Sequence, residues 1–350
     1  MIKKKILWLP ALVLTITIVS VFTLFGCAPA EEPVTDEPVD VTDEPVDAPD
    51  EPDVVAQDTF TVGYVDALLG PWAELIGDAY VDYFADIPNF EARSLQVQRS
   101  GDIVEAIELT ESLIAEEVDG ILLLVFHSEA LMESLSLARQ AGIKFGTVGT
   151  KLAVDTFAPE APDFVVGGVN YEPAYALGVQ AIEELIDGEG NVVIIGGVEG
   201  SDVAEDRKAG FEDAAAEFPG VNVLFSDFVG FLDDTAYAAM SDLLVAHDQI
   251  DIVFTPTDPA AQGAFEAAVA AGRQEGMYFT GWDLYDWYAE LMREHEQFYG
   301  TVAALPYFMG TLSAQLLEHA VAEPEFMRIE LDCEFPVVTL DNLDDFPVIE

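Results

Sequence analysis

From residue 60 onward the chain repeats one pattern: a short continuous apolar run, a turn containing Gly or Pro, then an amphipathic stretch of helical length. Runs of strand length stand at 60–65, 94–97, 120–125, 144–148 and 164–166. A second set stands at 191–195, 221–225, 251–255, 277–282 and 301–304. Helical periodicity fills many of the intervals, at 102–117, 129–140, 173–186, 204–217, 235–247 and 259–271. A strand that is apolar throughout is buried on both faces, which happens in parallel sheets covered by helices on either side. So many units exceed one sheet of ordinary size. The pattern predicts an α/β protein with two doubly wound parallel-sheet lobes. In open parallel sheets ligands bind beyond the carboxyl ends of the strands. Function is therefore to be read in the residues that follow each strand.

The first 58 residues obey other rules. Lys3, Lys4 and Lys5 precede an apolar run from residue 6 to residue 25. A basic start, an apolar core and small residues before a cut make a secretory signal. The run is also long enough to span a bilayer, so an uncleaved transmembrane anchor is the competing reading. Both put positive charge inside and the remainder of the chain outside. The run closes on Leu24-Phe25-Gly26-Cys27, which resembles the lipobox of bacterial lipoproteins. That resemblance implies removal of residues 1–26 and diacylation of Cys27. Phe25 departs from it, being larger than the small residue usual there. Residues 27–58 are acidic and Pro-spaced, with Asp36-Glu37-Pro38-Val39-Asp40 echoed by Asp43-Glu44-Pro45-Val46-Asp47. Such a segment cannot support a core. It reads as a disordered tether, reaching at most about 90–100 Å at about 3.1 Å per residue.

Charge and cysteine content narrow the partners. The chain has 350 residues, 13 Lys and Arg against 66 Asp and Glu, and a formal net charge of −53. Phosphate contacts need Lys and Arg, so nucleic acid is excluded as a partner and anionic lipid is a poor one. Only Lys144, Lys151 and Lys208 lie beyond the signal. This acidity suits a saline or alkaline habitat, where salt screens self-repulsion. Two cysteines, Cys27 and Cys333, make neither a disulfide framework nor a cysteine-rich metal site. His127, His247, His295 and His319 lack metal-ligand spacing, and no G-x-S-x-G elbow is present. Gly196-Gly197-Val198-Glu199-Gly200 lacks the spacing and the Lys of a P-loop, and Glu199 would repel phosphate. The acidic stretch Asp341-Asn342-Leu343-Asp344-Asp345 does not fit an EF-hand loop. No cofactor, no metal and no catalytic set is expected.

The strand ends carry a stronger signal. Leu69-Gly70-Pro71-Trp72 follows the first strand, and Asp206-Arg207-Lys208-Ala209-Gly210-Phe211 enters a helix. Phe231, the run Leu243-Leu244-Val245-Ala246-His247, Val253-Phe254-Thr255-Pro256-Thr257-Asp258, Gly281-Trp282-Asp283 and Ala304-Leu305-Pro306 follow in order. From residue 60 to about 322, this series resembles the sugar-binding, type I periplasmic binding proteins, nearest the ribose-binding branch. The resemblance implies two lobes joined by a three-strand hinge. One lobe would comprise residues 59–168 and 305–333, the other residues 169–304 and 334–350. It implies a protein, monomeric and not an enzyme, that delivers a small neutral sugar or sugar-like ligand to the permease subunits of an ABC importer. Delivery to a membrane sensor is the alternative, and a sugar-acting enzyme a more distant one. The signal, and the lack of DNA-binding helices, exclude a repressor of related fold.

By the same resemblance, Trp72 and Phe231 stack on the ligand from opposite lobes, since sugar C–H faces pack on π surfaces. Their competing reading is ordinary packing. Arg207 is expected to donate to hydroxyls through its rigid fork, unless it only pairs with Glu205 or Asp206. Asp283 is expected to accept from hydroxyls, unless it only caps a helix starting near Leu284. Thr257, Asp258, Gly149 and Thr150 fall at further contact positions. Departures lie among and beside them. Gly149-Thr150 stands where ribose binders carry Asp-Arg, Thr257 where Asn is frequent, Ala304 where a hinge-side Gln stands, and Gly70 where Asn precedes Pro71. About half the polar contacts of a ribose site are gone, so ribose itself is not expected. Asp66 and His127, at the ends of the first and third strands, are candidates to replace them. Among Trp282, Tyr285, Trp287 and Tyr288, one aromatic is expected to shape the pocket.

Overall fold

The computed structural model describes residues 59–99, 101–124, 128–149 and 161–349. Cys27, His127 and Thr150, named above, lie outside them, as do the signal and the tether.

In the first lobe the strands are β1 (Phe60–Asp66), β2 (Phe90–Gln96), β3 (Gly120–Leu124), β4 (Lys144–Gly149) and β5 (Phe164–Gly168). Its helices are α1 (Pro71–Ala85), α2 (Ile103–Ala115) and α3 (Met132–Gln140). The second lobe follows with α4 (Tyr171–Ile186), β6 (Glu189–Gly196), α5 (Asp202–Ala216), β7 (Gly220–Phe228) and α6 (Asp233–Ala246). It continues through β8 (Ile252–Phe254), α7 (Asp258–Ala270), β9 (Tyr278–Thr280), α8 (Asp286–Glu294) and β10 (Phe298–Val302). The chain then returns as α9 (Pro306–Ala322) and β11 (Ile329–Cys333) to the first lobe, and ends with β12 (Val337–Thr339) in the second.

The sheet orders are β11-β5-β4-β3-β1-β2 and β12-β10-β9-β8-β6-β7. All neighbours are parallel except β10 and β12. Strand order reverses beside β1 in one sheet and beside β6 in the other. These are the switch points at which open α/β sheets form a crevice. The central strands are the most deeply buried: every residue of β3 and of β8 is buried. Helices α1 and α9 pack on each other over one face of the first sheet, and α2 and α3 cover the other. In the second lobe α4 pairs with α5 and α6 with α7.

Three connections cross between the lobes, and they bond to one another. Val169 N donates to Cys333 O (3.0 Å), and Ala303 N donates to Pro336 O (3.0 Å). The strand expected at 301–304 is instead β10, because Ala303 and Ala304 leave the sheet to enter this hinge. Several other strands begin earlier or run longer than expected, β2 and β7 the most. β2 and β7 are edge strands whose residues are almost all partly buried or exposed, so they show no continuous apolar run. The helix expected at 129–140 opens as a 3₁₀ turn (Ser128–Leu131). Its α-helical part has Leu131 at the N-cap, with no side chain to take the first amides, and the tighter turn serves instead.

Cations are scarce, and tyrosines take over part of their bonding. Tyr171 donates to Asp213 (2.7 Å), Tyr299 to Glu184 (2.6 Å), Tyr307 to Asp82 (3.1 Å) and Tyr83 to Glu318. No helix of the described residues is long and apolar enough to cross a membrane.

Candidate functional site

Between the carboxyl ends of the two sheets lies a cavity of about 440 Å³. The site is built largely from the residues that follow the strands. The first lobe brings Leu68 to Ala73 after β1 and Gly149 at the end of β4. The hinge brings Gly168 and Asn170. The second lobe brings Val198 after β6, Val229 to Leu232 after β7, Thr257 after β8, and Asp283 with Tyr285 after β9.

Asp283 is presented by an unusual turn. Its φ is +124°, and that of Leu284 is +66°. Non-glycine residues in this region cost on the order of 1–3 kcal/mol each and persist only where the surroundings hold them. Here Asp283 N donates to Val302 O (2.8 Å), and Asp258 clamps the turn from below. Asp258 N donates to Trp282 O (2.8 Å), while its carboxylate accepts from Tyr285 N (3.0 Å) and from the Thr301 hydroxyl (2.7 Å). Asp258 is fully buried and does not line the cavity. The contact expected of it passes through the turn it holds. Helix α8 begins only at Asp286, with Tyr285 as its N-cap, so Asp283 does not cap it. No hydrogen bond from a described residue reaches the Asp283 carboxylate.

Arg207 lies on α5 and is buried, not paired at the helix surface. Its guanidinium stacks on the Trp282 indole at 4.0 Å. Nε donates to Asn170 Oδ1 (3.0 Å) and Nη1 to Pro256 O (2.6 Å). Nη2 has no partner among the described residues. Asn170 in turn donates to Gly168 O (2.9 Å), which ties the arginine to a hinge crossing. Burial pushes the Asp283 carboxyl well above the usual range, with Arg207 pulling the other way. Burial likewise raises Asp258 to about 7, against the Thr301 hydroxyl and backbone amides. The same burial lowers the affinity of Arg207 for its proton, opposed by Asp283 and Asp258, and the guanidinium stays charged at neutral pH.

The aromatics come from both sides. Trp72 sits in the first turn of α1, which starts at Pro71, a residue suited to that position. Gly149 has a φ of +78°, and a Cβ on it would meet Leu124 at 3.0 Å and the Trp72 ring at 3.1 Å. A glycine is therefore required for the indole to lie against β4. Phe231 packs over Gly197, and its carbonyl accepts from the Thr257 hydroxyl (2.6 Å). Thr257 also accepts from Ala260 N (3.2 Å) as the N-cap of α7. The Tyr285 hydroxyl reaches the backbone of Trp72 in the opposite lobe, and burial raises its pKa.

Of the residues expected at a ligand, Trp72, Gly149, Arg207, Phe231, Thr257 and Asp283 converge on this one cavity. Asp66 does not. It is buried behind the wall, accepting from Leu68 N (2.8 Å) and Gln96 (3.2 Å), and it shapes the turn that carries Trp72. Burial raises it to about 6, opposed by those two bonds. Asn170, Met309 and Phe335 were not anticipated. Asn170 follows β5 directly, so the strand-end rule could have found it; Phe335 lies in the last crossing, where no strand pattern points to it.

Two lobes of this strand order, hinged by three bonded crossings around one cavity, define a binding protein of the type I class. Residues 68–324 match the periplasmic binding protein domain family, and the chain belongs to that family. It is 26% identical over 271 residues to the xylitol-binding protein of Mycolicibacterium smegmatis, covering 77% of this chain and 74% of that one. It is 27% identical over 206 residues to the D-ribose/D-allose-binding protein of Pseudomonas aeruginosa, covering 59% of this chain and 63% of that one. Among solved structures, an ABC transporter solute-binding protein of Bacillus halodurans with bound myo-inositol superposes with a TM-score of 0.75. The identity is 21%, covering 82% of this chain and 97% of that one. The fructose-binding periplasmic domain of a hybrid two-component system has the same fold (TM-score 0.73, 23% identity, 82% and 92% covered).

Proposed function

We propose that this chain is an extracytoplasmic solute-binding protein that captures a small neutral sugar or polyol between its lobes and delivers it to an ABC importer. One observation carries the reading. Arg207 Nη2 and the Asp283 carboxyl, without hydrogen-bond partners among the described residues, lie with Trp72 and Phe231 around one space between two hinged sheets. Such a pair donates to one hydroxyl and accepts from the next, while the aromatics take the C–H faces. The ligands named for the relatives, xylitol, ribose and allose, are of this class. Binding and release need no covalent step, and no turnover of the ligand is proposed. In this reading Cys27 carries a lipid, and residues 27–58 give the lobes room to open and close beside the permease.

The test is a thermal-shift screen of the protein lacking residues 1–26 against sugars, polyols and nucleosides. At a hundred times Kd, a ligand adds about 2.7 kcal/mol of stability. A panel without any shift would reject the reading. For the anchor, mass spectrometry of the mature N-terminus should find a diacylated Cys27, and Cys27→Ala should release the protein from the membrane. Delivery to a sensor is a second reading, favoured by the two-component neighbour. Uptake of the ligand, abolished by deleting this protein, supports the importer; loss of induction with uptake intact supports the sensor.

A further inference from the structure

The second lobe's lining changes character along its sheet. In the order β9, β8, β6, β7 the strand ends present Asp283, then Thr257, then Val198, then Val229 to Leu232. Strands about 4.8 Å apart spread this gradient over about 14 Å. At the β9 end lie the carboxyl of Asp283 and the Nη2 of Arg207, which has no partner among the described residues. Toward the β7 end the wall is Val198, Val203, Val229 and Leu232, and several of its polar groups are already engaged. Thr235 donates back to Leu232 O (2.9 Å), Val229 N to Gly196 O (3.0 Å) and Gly230 N to Gly196 O (3.2 Å). The hydroxyl of Thr257 is committed to Phe231 O (2.6 Å). A ligand hydroxyl laid against the Val198 and Leu232 side chains would lose its water without gaining a partner from them, an expensive exchange. Yet Val198 and Leu232 remain partly exposed, so apolar surface stands open on the cavity side.

We infer that the ligand is a deoxy sugar, with hydroxyls on the edge facing Arg207 and Asp283 and a methyl or unsubstituted carbon on the edge facing Val198 and Leu232. The inference rests on the sugar-binding reading above and narrows it. Calorimetric titration of matched pairs tests it: L-fucose against L-galactose, L-rhamnose against L-mannose, and 6-deoxy-D-glucose against D-glucose. The deoxy member of at least one pair should bind about 10–100-fold tighter, the discrimination an apolar wall can make against an added hydroxyl. Val198→Thr keeps the side-chain shape, lies at a partly exposed position and adds a hydroxyl, so it should narrow that preference severalfold. Equal or tighter binding of the hydroxylated partners overturns the inference and leaves the sugar reading standing. So does a preference that Val198→Thr leaves unmoved. If neither deoxy nor hydroxylated sugars bind, both fall together.

Discussion

In the first lobe the described loops facing the cavity carry Leu68, Leu69, Gly70 and Gly149 around the indole of Trp72; in the second they carry Thr257 and Asp283, with Arg207 on α5 behind them. The strand order is the same in both sheets, so topology does not create the difference. What differs is the turn chemistry after each strand. The second lobe invests a strained turn at Asp283, a buried clamp at Asp258 and a hinge-tethered arginine. Among its described residues, the first lobe invests one aromatic and the glycine that makes room for it. On the described residues, and under the proposed function, the comparison assigns recognition to the second lobe and cover to the first.

That division can be broken experimentally. The largest effect is expected at the polar pair. Arg207→Ala or Asp283→Ala removes one of the two groups proposed to meet the ligand hydroxyls and leaves the other without its charge partner, a loss of about 2–5 kcal/mol that should weaken sugar binding at least thirtyfold by calorimetry. Trp72→Ala should weaken binding about tenfold and also lower the melting temperature of the free protein, because the indole packs against the cores of the fold. If Trp72→Ala costs more than Asp283→Ala, the assignment of roles is reversed.

Acid dependence sharpens the same contrast, with smaller effects. A carboxyl whose folded-state pKa lies above its unfolded value holds its proton better when folded. Stability is then fully present below pH ~4 and falls as pH rises through the folded pKa. This applies to Asp66 (about 6), Asp258 (about 7) and Asp283. The melting temperature of the free protein should therefore decline between pH ~4 and 7. Asp283→Asn should flatten that decline and raise the melting temperature at neutral pH while it removes binding. A slope identical to that of the parent protein would show that the repulsion of the whole acidic surface, not this carboxyl, sets it. The smallest effect is expected from Asp66→Asn. Having no place in the lining, it should change affinity less than about threefold and cost about 1 kcal/mol in denaturant unfolding through the lost turn bonds.

The fold class was legible because burial on both faces writes itself as uninterrupted apolar strands, as in β3 and β8. Edge strands such as β2, with most residues partly buried or exposed, lack that signal. Helices α1 and α9 escape periodicity for a related reason. They pack against each other as well as against the sheet, so their apolar surface is too broad to form a stripe. At the cavity, residues lying just after a strand were readable, as Asp283 and Thr257 illustrate, whereas Arg207, inside α5, was reached only through the family resemblance. Sequence could not tell which carboxylates point inward. Asp258 and Asp283 both follow strands of the second sheet. Only the positive-φ turn sends one into the cavity and keeps the other beneath it.

The tyrosines that bond to surface carboxylates bear on the conditions under which the whole molecule can operate. A phenol donates without carrying charge, so salt that screens a lysine–glutamate pair leaves a tyrosine–carboxylate bond nearly intact. Tyr83, Tyr171, Tyr299 and Tyr307 all have their pKa raised, by burial or by the carboxylates they bond. They keep their protons past pH ~10, where a lysine begins to lose its own. Their stabilisation fades only as alkali rises beyond the ordinary tyrosine value, because the unfolded chain then ionises first. Bonds of this kind lose less to salt and to moderate alkali than lysine–carboxylate pairs would, and they leave the few guanidinium groups for places such as Arg207.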